Sequence, residues 1–492
     1  MKSISKSRFI SGIQCEKKVW FDYHRKDLKP PVDEQTQMIF DLGHKIGFLA
    51  QQKFPNGKDA TPENYTDFSA SIENTKKWIS EQQTIYEATF SAGNVLSMLD
   101  ILYWENGELN TVEVKNSTSV KDYHLWDAAV QYWVMNEAGY SPNRFLLMHI
   151  NNQYVKDGEI SDELFHLVDL TERVIDLQPW ITNNIKRIIN VVSNSDEPKV
   201  EIGGHCGTPF GCDYQHHCWK HVPENSVFTL YRGGKKGWDL YNQGILKLED
   251  IPEEYQLTSF QRLQWHGLKF KKNYVDSKSI IDFFSKWKYP LHFFDFETIF
   301  PAVPVLDGTR PYQQVPFQYS LHVLNAVGEV NHKEFLASPE DFSEINIDPR
   351  KQMIEQMKLD FEAKGSIVTY NQSFEISRLR ELAQDFPEDA DFLEGLIERV
   401  VDLLVVFQKG WYYLPEMRNS ASIKSVLPAL APEFSYADLE VGDGGMASNL
   451  YLQSIENKGF VNDLLRDDLL KYCERDTYGM VVIFNILEKL PN

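Results

Sequence analysis

The stretch LHFFDFETIF, residues 291–300, places two acids inside an apolar run. Side chains of a strand alternate between its two faces, so Asp295 and Glu297 share one face while Phe296 lies on the other. Two neighbouring carboxylates repel each other unless a cation lies between them, and hard cations such as Mg²⁺ prefer carboxylate oxygen. The pattern predicts a buried strand with a metal-binding face. A solvated strand end is the alternative.

The bulk properties favour a globular protein of two or three domains. The chain has 492 residues, of which 42% are hydrophobic and 25% charged. No apolar run reaches the ~18–20 residues of a membrane span, and the N-terminus lacks a secretory signal. We therefore expect no membrane partner and a cytoplasmic location. The net charge of −21 argues against broad coating of nucleic acid but allows acidic metal sites beside a narrow basic groove.

Two α/β patterns follow one another along the chain. Apolar alternation and a turn signal at Asn106-Gly107 predict a hairpin in the first. The elements expected there are strands 84–90, 95–103, 107–115 and 143–151, with helices over 124–139 and 161–193. In the second they are strands near 291–297, 316–324 and 366–370, with helices at 349–363, 374–385 and 464–489.

The predicted division is a domain at 1–220, a partly helical connector at 221–285 and a domain at 286–492. The connector interleaves basic and aromatic residues, which can contact phosphates and stack on nucleic-acid bases. A spacer whose aromatic residues pack on the domains is an equal alternative. The residues concerned are Tyr231, Arg232, Lys235, Lys236, Trp238, Lys269, Phe270, Lys271, Lys272 and Tyr274.

Two further patterns carry acids in the C-terminal half. In YNQSFE, Asn371 stands at an expected helix start and is followed by Glu375. In YCERD, Tyr472 and Asp476 are spaced i, i+4 and share one face of a predicted helix. The order D-x-E, N-x-x-F-E and Y-x-x-x-D, over about 290–490, resembles the DEDD 3′–5′ exonucleases of the DEDDy subtype, whose fold is RNase H-like.

This resemblance implies that four carboxylates hold two metal ions about 4 Å apart, on either side of a phosphodiester. It also implies that Tyr472 positions or deprotonates the attacking water. The implied carboxylates are Asp295, Glu297, Glu375 and Asp476. Glu375 stands where the family usually has Asp and reaches one methylene further. Asp402, in VVDLL, is either an extra ligand or a cap or turn residue.

The N-terminal half carries a second acid pattern. Asp100 lies on one predicted strand, and Glu113-Val114-Lys115 lies on the next. In E-x-K the acid and the ammonium share a strand face. Glu113 and Asp100 can then bind a metal ion, with Val114 offering its carbonyl, while Lys115 orients a water. A surface ion pair is the alternative.

The residues around this pattern resemble the PD-(D/E)XK nucleases of the RecB/Cas4 type. His44 and Glu87 precede the E-x-K strand, and Gln131 follows it in AAVQYW. The resemblance implies that His44 and the acids hold a metal ion and that Gln131 shapes the active site. The usual Q-x-x-x-Y spacing is absent, because Tyr132 directly follows Gln131.

The odd cysteine count argues against a disulfide framework. One cysteine precedes the E-x-K region, and three follow it with C-x5-C-x5-C spacing. This order resembles the Cas4/AddB arrangement, in which four cysteines hold a [4Fe–4S] cluster that staples the ends of the domain. The implied ligands are Cys15, Cys206, Cys212 and Cys218. Zinc is the alternative, with competing ligands among His205, His216 and His217. Cys473 is expected to be a plain helix residue.

Taken whole, the order resembles DUF2779-type bacterial proteins, with a Cas4-like domain fused to a DEDD-like domain. It implies a Mg²⁺- or Mn²⁺-dependent enzyme with two nuclease centres acting on nucleic acid, DNA rather than RNA. Roles in DNA repair, recombination or phage defence follow by analogy alone. One alternative keeps a single active exonuclease centre on RNA or DNA, with the other domain a binding scaffold. Another is a non-catalytic Fe–S or zinc module that binds nucleic acid.

Overall fold

Both halves of the chain are built on a mixed β-sheet flanked by helices. The computed structural model describes residues 3–342, 348–456 and 463–491. It divides into unit 1, Met1–His221, and unit 2, Val222–Asn492. Each unit combines parallel and antiparallel strand pairs, which confirms the α/β class. Among the described residues, we find no helix with both the length and the apolar character needed to cross a membrane.

Unit 1 contains seven described strands and eight described α-helices. The strands are β1 (Ile4–Ser5), β2 (Lys58–Asp59), β3 (Ile85–Ala92), β4 (Val95–Glu105), β5 (Glu108–Lys115), β6 (Arg144–Ile150) and β7 (Phe165–Asp169). The helices are α1 (Lys6–Gln14), α2 (Glu16–His24), α3 (Glu34–Gln52), α4 (Ser69–Ser80), α5 (Asp122–Glu137), α6 (Thr171–Asp176), α7 (Gln178–Ser193) and α8 (Gln215–Cys218).

The sheet of unit 1 has the order β2-β3-β4-β5-β6-β7, with β1 paired to β4. Strands β3, β4 and β5 form an antiparallel meander, and β6 lies parallel to β5 after the crossover through α5. Asn106 and Gly107 have φ values of 52° and 80°. Both are positive, as a two-residue hairpin turn requires. The predicted hairpin is therefore confirmed.

The segment 161–193 differs from its predicted all-helical form. A 3₁₀ helix, Asp162–Leu164, and the strand β7, Phe165–Asp169, come first, and α6 and α7 follow. Strand β7 pairs antiparallel with β6 at the edge of the sheet. Its sequence, FHLVD, is only five residues long and has no strict alternation of apolar and polar residues, so it did not stand out from the long helical pattern that follows it.

Unit 2 contains the remaining elements. The strands are β8 (Tyr274–Val275), β9 (Leu291–Ile299), β10 (Val315–Leu324), β11 (Val330–Leu336), β12 (Ile367–Thr369), β13 (Val400–Asp402) and β14 (Tyr412–Tyr413). The helices are α9 (Lys235–Asn242), α10 (Ser259–Phe270), α11 (Ser277–Phe284), α12 (Pro349–Asp360), α13 (Gln372–Asp385), α14 (Ala390–Ile397), α15 (Leu404–Gln408), α16 (Ile423–Leu430), α17 (Gly444–Glu456) and α18 (Asp463–Glu488).

Strand β9 is the centre of the main sheet of unit 2, whose order is β11-β10-β9-β12-β13. It pairs antiparallel with β10 and parallel with β12. The long helix α18 packs across β9 and β10. Nearly every residue of β9 is buried because apolar residues cover both faces of the strand. The central position of β9 therefore explains why Asp295 and Glu297 are surrounded by apolar residues in the sequence.

The predicted connector, from residue 222 onward, lies within unit 2 and has a small core of its own. Trp238 packs against Phe228 at 4.6 Å between ring centroids, and Lys236 Nζ donates to the carbonyl of Gln256 at 2.9 Å. Trp238 and Lys236 are thus engaged in contacts within the protein, as expected if the connector is a packed spacer rather than a nucleic-acid-binding surface. Phe270 and Tyr274 remain about half exposed.

Asp402 caps the start of α13 from the end of the neighbouring strand β13. Its carboxylate accepts hydrogen bonds from the backbone N–H groups of Asn371 at 3.0 Å, Gln372 at 3.2 Å and Leu404 at 3.0 Å. Asn371 has a φ of 85°, so the chain turns sharply here. These contacts give Asp402 the cap role that the sequence offered as one alternative.

Replacing this cap should destabilise unit 2. We expect Asp402→Ala to lower the free energy of unfolding by about 1–3 kcal/mol, because buried N–H groups lose their acceptor. Urea unfolding followed by tryptophan fluorescence measures the change. Asp391→Ala removes an exposed acid from the first turn of α14 and serves as control. Equal midpoints for the two variants would contradict the cap role.

Candidate functional sites

The N-terminal acid site, comprising Asp100, Glu113, Lys115 and Gln131, forms where β4 and β5 lie side by side. Asp100 Oδ2 accepts a hydrogen bond from the backbone N–H of Val114 at 2.6 Å. Lys115 Nζ donates to Glu113 Oε1 at 2.7 Å, and the Glu113 side chain is only 1% exposed. The E-x-K pair is therefore partly buried, with Glu113 in the interior and Lys115 23% exposed, rather than a surface ion pair.

Two residues that the sequence did not single out complete this site. Lys6, in α1, donates to Glu113 Oε1 at 3.0 Å, and Lys115 donates to Asp127, in α5, at 2.7 Å. Asp127 and Glu113 raise the pKa of Lys115 well above its usual value, against the opposing effect of burial. The i, i+4 spacing of Asp127 and Gln131 on one helix was a usable signal. Lys6 gave none, because its partner is 107 residues away.

The acids of this site differ in how they are compensated. Burial would raise the pKa of Glu113, but Lys115 and Lys6 outweigh burial and lower it. Burial and the neighbouring Glu113 raise the pKa of Asp100 to about 6. Burial and Asp100 raise the pKa of Glu87 to about 8. Glu113 is thus held in its ionised form, whereas the ionised forms of Asp100 and of the nearby Glu87 are disfavoured.

Gln131 and His44 lie in different surroundings. Gln131 is fully buried and helps to lower the pKa of Glu113. Neither polar atom of its amide forms a standard hydrogen bond with a described residue. Glu113 Oε2 also lacks such a partner. His44 is exposed on α3, and no hydrogen bond or ion pair within the described ranges joins it to the acids. The structure therefore brings Gln131, but not His44, to the site.

The cysteine pocket of unit 1 is lined by all four predicted ligands, Cys15, Cys206, Cys212 and Cys218. Gln14, next to Cys15, donates to the carbonyls of His205 at 2.9 Å and Phe210 at 2.7 Å. Tyr214 donates to Asp22 in α2 at 2.8 Å. These bonds tie the start of the domain to its end and bring the distant cysteines together.

Burial raises the pKa of three of these thiols, those of Cys15, Cys218 and Cys212, the last to about 11. Of the competing histidines, His205 lines the pocket. His217 packs edge-on against Phe21, and the Nδ1 atom of His216 hydrogen-bonds the carbonyl of Asp213 at 3.1 Å. The donor set is therefore four thiols that share one pocket, with His205 beside them.

The C-terminal acid site gathers side chains from three elements of unit 2. Parallel pairing places the end of β12 beside β9, and α13 begins directly after β12. Helix α18 crosses the same strands. The members are Asp295 and Glu297 on β9, Glu375 in the first turn of α13, and Tyr472 and Asp476 on α18. All five predicted residues thus meet, and the last four are at most 8% exposed.

The carboxyl groups of this site lie close to one another. Glu375 lowers the pKa of Asp295, while Asp295 raises the pKa of Glu375. Glu375 Oε2 has no hydrogen-bond partner among described residues. Burial and Asp476 raise the pKa of Asp295 to about 7. Burial and Asp295 raise the pKa values of Glu297 and Glu375 well above the ordinary range.

Three neighbours that sequence analysis missed surround these acids. Tyr436 donates to Asp476 Oδ1 at 2.5 Å. The Sγ atom of Cys473, a carboxylate oxygen of Asp295 and a carboxylate oxygen of Glu297 all lie within 4.8 Å of one another. Lys424 Nζ donates to the Gly442 carbonyl at 2.9 Å, and its charge lowers the pKa values of these acids only in part. Cys473 lies in a helix as predicted, and its thiol also borders the acids.

Tyr472 faces the same cluster. Burial and Asp476 raise its pKa far above the ordinary value. The ring lies 5.1 Å from Lys424 Nζ, measured to the ring centroid. A phenol in this setting keeps its proton at neutral pH. It can donate a hydrogen bond and position a water.

The comparisons with known proteins match part of the chain. The model of a domain of unknown function, DUF2779, matches residues 292–422, which confirms the predicted similarity to DUF2779-type proteins over that range. Uncharacterized protein UU173 of Ureaplasma parvum serovar 3 is 29% identical over 280 residues, 52% of this chain and 39% of the relative. The uncharacterized MG366 homolog of Mycoplasma pneumoniae is 28% identical over 262 residues, 49% of this chain and 38% of the relative.

The chain therefore spans about two fifths of the length of these curated relatives. Among solved structures, the crystal structure of SSO0001 aligns with a TM-score of 0.24 and 12% identity, over 45% of this chain and 88% of that chain. A similarity at this TM-score carries no argument about fold or function.

The raised pKa values predict that the metal-free protein loses stability as pH rises from about 4 to about 7. Asp295 titrates at about 7 in the fold against an ordinary 3.8. Between those values the folded state holds a proton that the unfolded state releases, so rising pH favours unfolding. Thermal unfolding in EDTA at pH 5–7.5 measures this decline, which should be shallower in Asp295→Asn. Asp391→Asn, an exposed site, is the control. Parallel curves for wild type and Asp295→Asn would refute the assignment.

Proposed function

We propose that the chain is a divalent-metal-dependent nuclease with two centres, one in each unit, and that DNA is its main substrate. The observation that carries this proposal is the C-terminal acid site. Three buried carboxyl groups and the partly buried Asp295 lie together there with raised pKa values, and Glu375 Oε2 has no partner among described residues. Carboxylate oxygens at such density suit Mg²⁺ or Mn²⁺.

The strand arrangements support the two fold assignments. In unit 2, three antiparallel strands continue into two parallel ones in the order β11-β10-β9-β12-β13, with the acids on the central strand. This order supports an RNase H-like domain. In unit 1, the succession of α4, the β3–β5 meander, α5 and β6 supports a PD-(D/E)XK domain.

At the C-terminal acid site we assign Asp295, Glu297, Glu375 and Asp476 to metal binding. Bound metal ions would stabilise the attacking and leaving oxygens of a phosphodiester. Tyr472 would position the attacking water by donating a hydrogen bond, since its phenol stays protonated. Tyr436 holds Asp476 by a hydrogen bond and so fixes the direction of that carboxylate.

At the N-terminal acid site we assign Asp100 and Glu113 to metal binding, with the Val114 peptide as a neighbour. The unpartnered Glu113 Oε2 supports this assignment. Lys115, held by Asp127, would orient a water or the phosphate. Its raised pKa keeps it protonated, so it would act as a donor rather than as a base. The exposed His44 is at most a ligand that arrives by movement of α3.

A single catalytic centre in unit 2 is the second candidate. One observation favours it. Lys6 and Lys115 already neutralise Glu113 in unit 1. In unit 2, the positive charge of Lys424 compensates the C-terminal acids only in part. Unit 1 would then be a binding scaffold.

Substitution separates these two candidates. With two centres, Lys115→Ala and Asp295→Ala each remove one of two Mn²⁺-dependent activities on end-labelled single- and double-stranded DNA and RNA. The loss should be at least about a hundredfold, as for removal of a group that acts on the transition state. Asp391→Ala is the control for folding. Loss of all cleavage in Asp295→Ala, with Lys115→Ala fully active, would leave only the centre in unit 2. No Mn²⁺-dependent cleavage by wild type would refute both candidates.

For the cysteine pocket we propose a [4Fe–4S] cluster. Four thiols from the two ends of unit 1 line one pocket, and thiolates are the ligands that such clusters use. The bonds of Gln14 and Tyr214 already join those ends, so a cluster would reinforce a connection that the chain itself makes. Zinc suits the same four sulfurs and remains the rival cofactor.

Iron analysis decides between the two cofactors. Anaerobically purified protein should be brown and contain about four irons per chain, one [4Fe–4S] cluster. Cys212→Ser should lose them, while Cys473→Ser, a buried thiol on α18, should keep them. Stoichiometric zinc without broad absorbance near 400 nm would exclude the cluster.

A further inference from the structure

A further cluster of side chains that can bind a metal ion lies in unit 2, one strand away from the C-terminal acid site. His322 of β10 and His332 of β11 are directly paired across the two strands. Their rings stack at 4.3 Å between centroids. Glu474 of α18 lies beside them, with its Oε1 atom 3.9 Å from His332 Nδ1. One nitrogen of each ring and one carboxylate oxygen lie within 4.8 Å of one another.

Hydroxyl groups hold one ring nitrogen of each imidazole. Thr477 Oγ1 lies 2.9 Å from His322 Nδ1, and Ser320 Oγ lies 2.9 Å from His332 Nε2. The two hydroxyls also bond each other at 2.7 Å. Such bonds fix the ring orientation and occupy one nitrogen of each ring, so that His322 Nε2 and His332 Nδ1 are left for a metal ion.

We propose that His322, His332 and Glu474 bind a divalent transition-metal ion, Zn²⁺ in particular, independently of the proposed nuclease activity. Two imidazoles and a carboxylate match the ligand preference of Zn²⁺ and differ from the all-oxygen sets that Mg²⁺ prefers. Bound zinc would require N–Zn distances of about 2.0–2.1 Å, so the ligands must draw together slightly. His332 and Glu474 are partly exposed and can move, while His322 is anchored in the interior.

The site would fasten α18 to β10 and β11. Helix α18 carries Tyr472 and Asp476 on the turns around Glu474, so a metal ion bound to Glu474 would restrain the helix that supplies part of the C-terminal acid site. Glu334, whose Oε2 atom is 4.0 Å from His332 Nε2, lies near the other ring nitrogen, the one that Ser320 occupies. Three protein ligands leave one coordination position for water.

Zinc titration of the full chain in excess Mg²⁺ tests the proposal. Wild type should bind one more equivalent of Zn²⁺ than His332→Ala, counted by elemental analysis after desalting. Glu474→Gln, which alters a surface carboxylate, should bind that equivalent at least about tenfold more weakly. His266→Ala, an exposed histidine on α10, is the matched control and should bind as wild type does.

A second readout separates this site from the cysteine pocket. In a Co²⁺ titration, sulfur-to-cobalt charge-transfer absorption reports the thiols alone. It should be unchanged in His332→Ala while the total bound Co²⁺ falls by one equivalent. Equal Zn²⁺ and Co²⁺ stoichiometry in wild type and His332→Ala would overturn the proposal, whatever the outcome of the nuclease assays.

Discussion

The mutual repulsion of four carboxyl groups is the constraint around which unit 2 is arranged. Two unit charges 4 Å apart repel by about 4 kcal/mol at an effective dielectric constant of 20. The fold reduces this cost by keeping protons on the cluster, and the raised pKa values of Asp295, Glu297 and Glu375 express that adjustment. A rigid support is needed to hold such groups together, and β9 provides it because apolar neighbours fix both of its faces.

Unit 1 meets the same difficulty in a different way. There the chain supplies its own cations, since Lys6 and Lys115 both donate to Glu113 Oε1, and Glu113 remains ionised. The two lysines compensate the charge of Asp100 less completely, so burial and Glu113 still raise its pKa to about 6. A metal ion entering this site must share Glu113 with two ammonium groups. An ion entering unit 2 meets a group of carboxyl groups whose charge Lys424 compensates only in part. The two sites should therefore differ in their affinity for the same ion.

Short-range patterns were enough to predict much of this arrangement. The Asn106-Gly107 hairpin, the D-x-E strand and the Tyr472–Asp476 helix face all follow from periods of two or 3.6 residues. Contacts between distant segments were not accessible in that way. Tyr436 reaches Asp476 across 40 residues, and Lys6 reaches Glu113 across 107.

Two other differences have local causes. Strand β11 lies at the sheet edge and carries mostly polar residues, so its sequence lacks the apolar alternation that marks a strand. His44 occupies a helical apolar pattern, yet three of its apolar neighbours, Ile39, Phe40 and Phe48, are themselves about half exposed or more. The pattern predicted the helix correctly but did not indicate the direction of the histidine, because an amphipathic period does not say which face meets the core.

Helix α18 connects the electrostatics of unit 2 with its packing. Its 3.6-residue period directs Tyr472 and Asp476 towards the carboxyl cluster and Thr477 towards Ser320 and His322 on β10. Rotating the helix to relieve the repulsion at Asp476 would break the hydroxyl bonds of Thr477, which is completely buried. The hydrogen bonds at β10 therefore hold Asp476 in a position that the acids alone would not favour. Packing on one side of the helix maintains the concentrated negative charge that a divalent cation can use on the other.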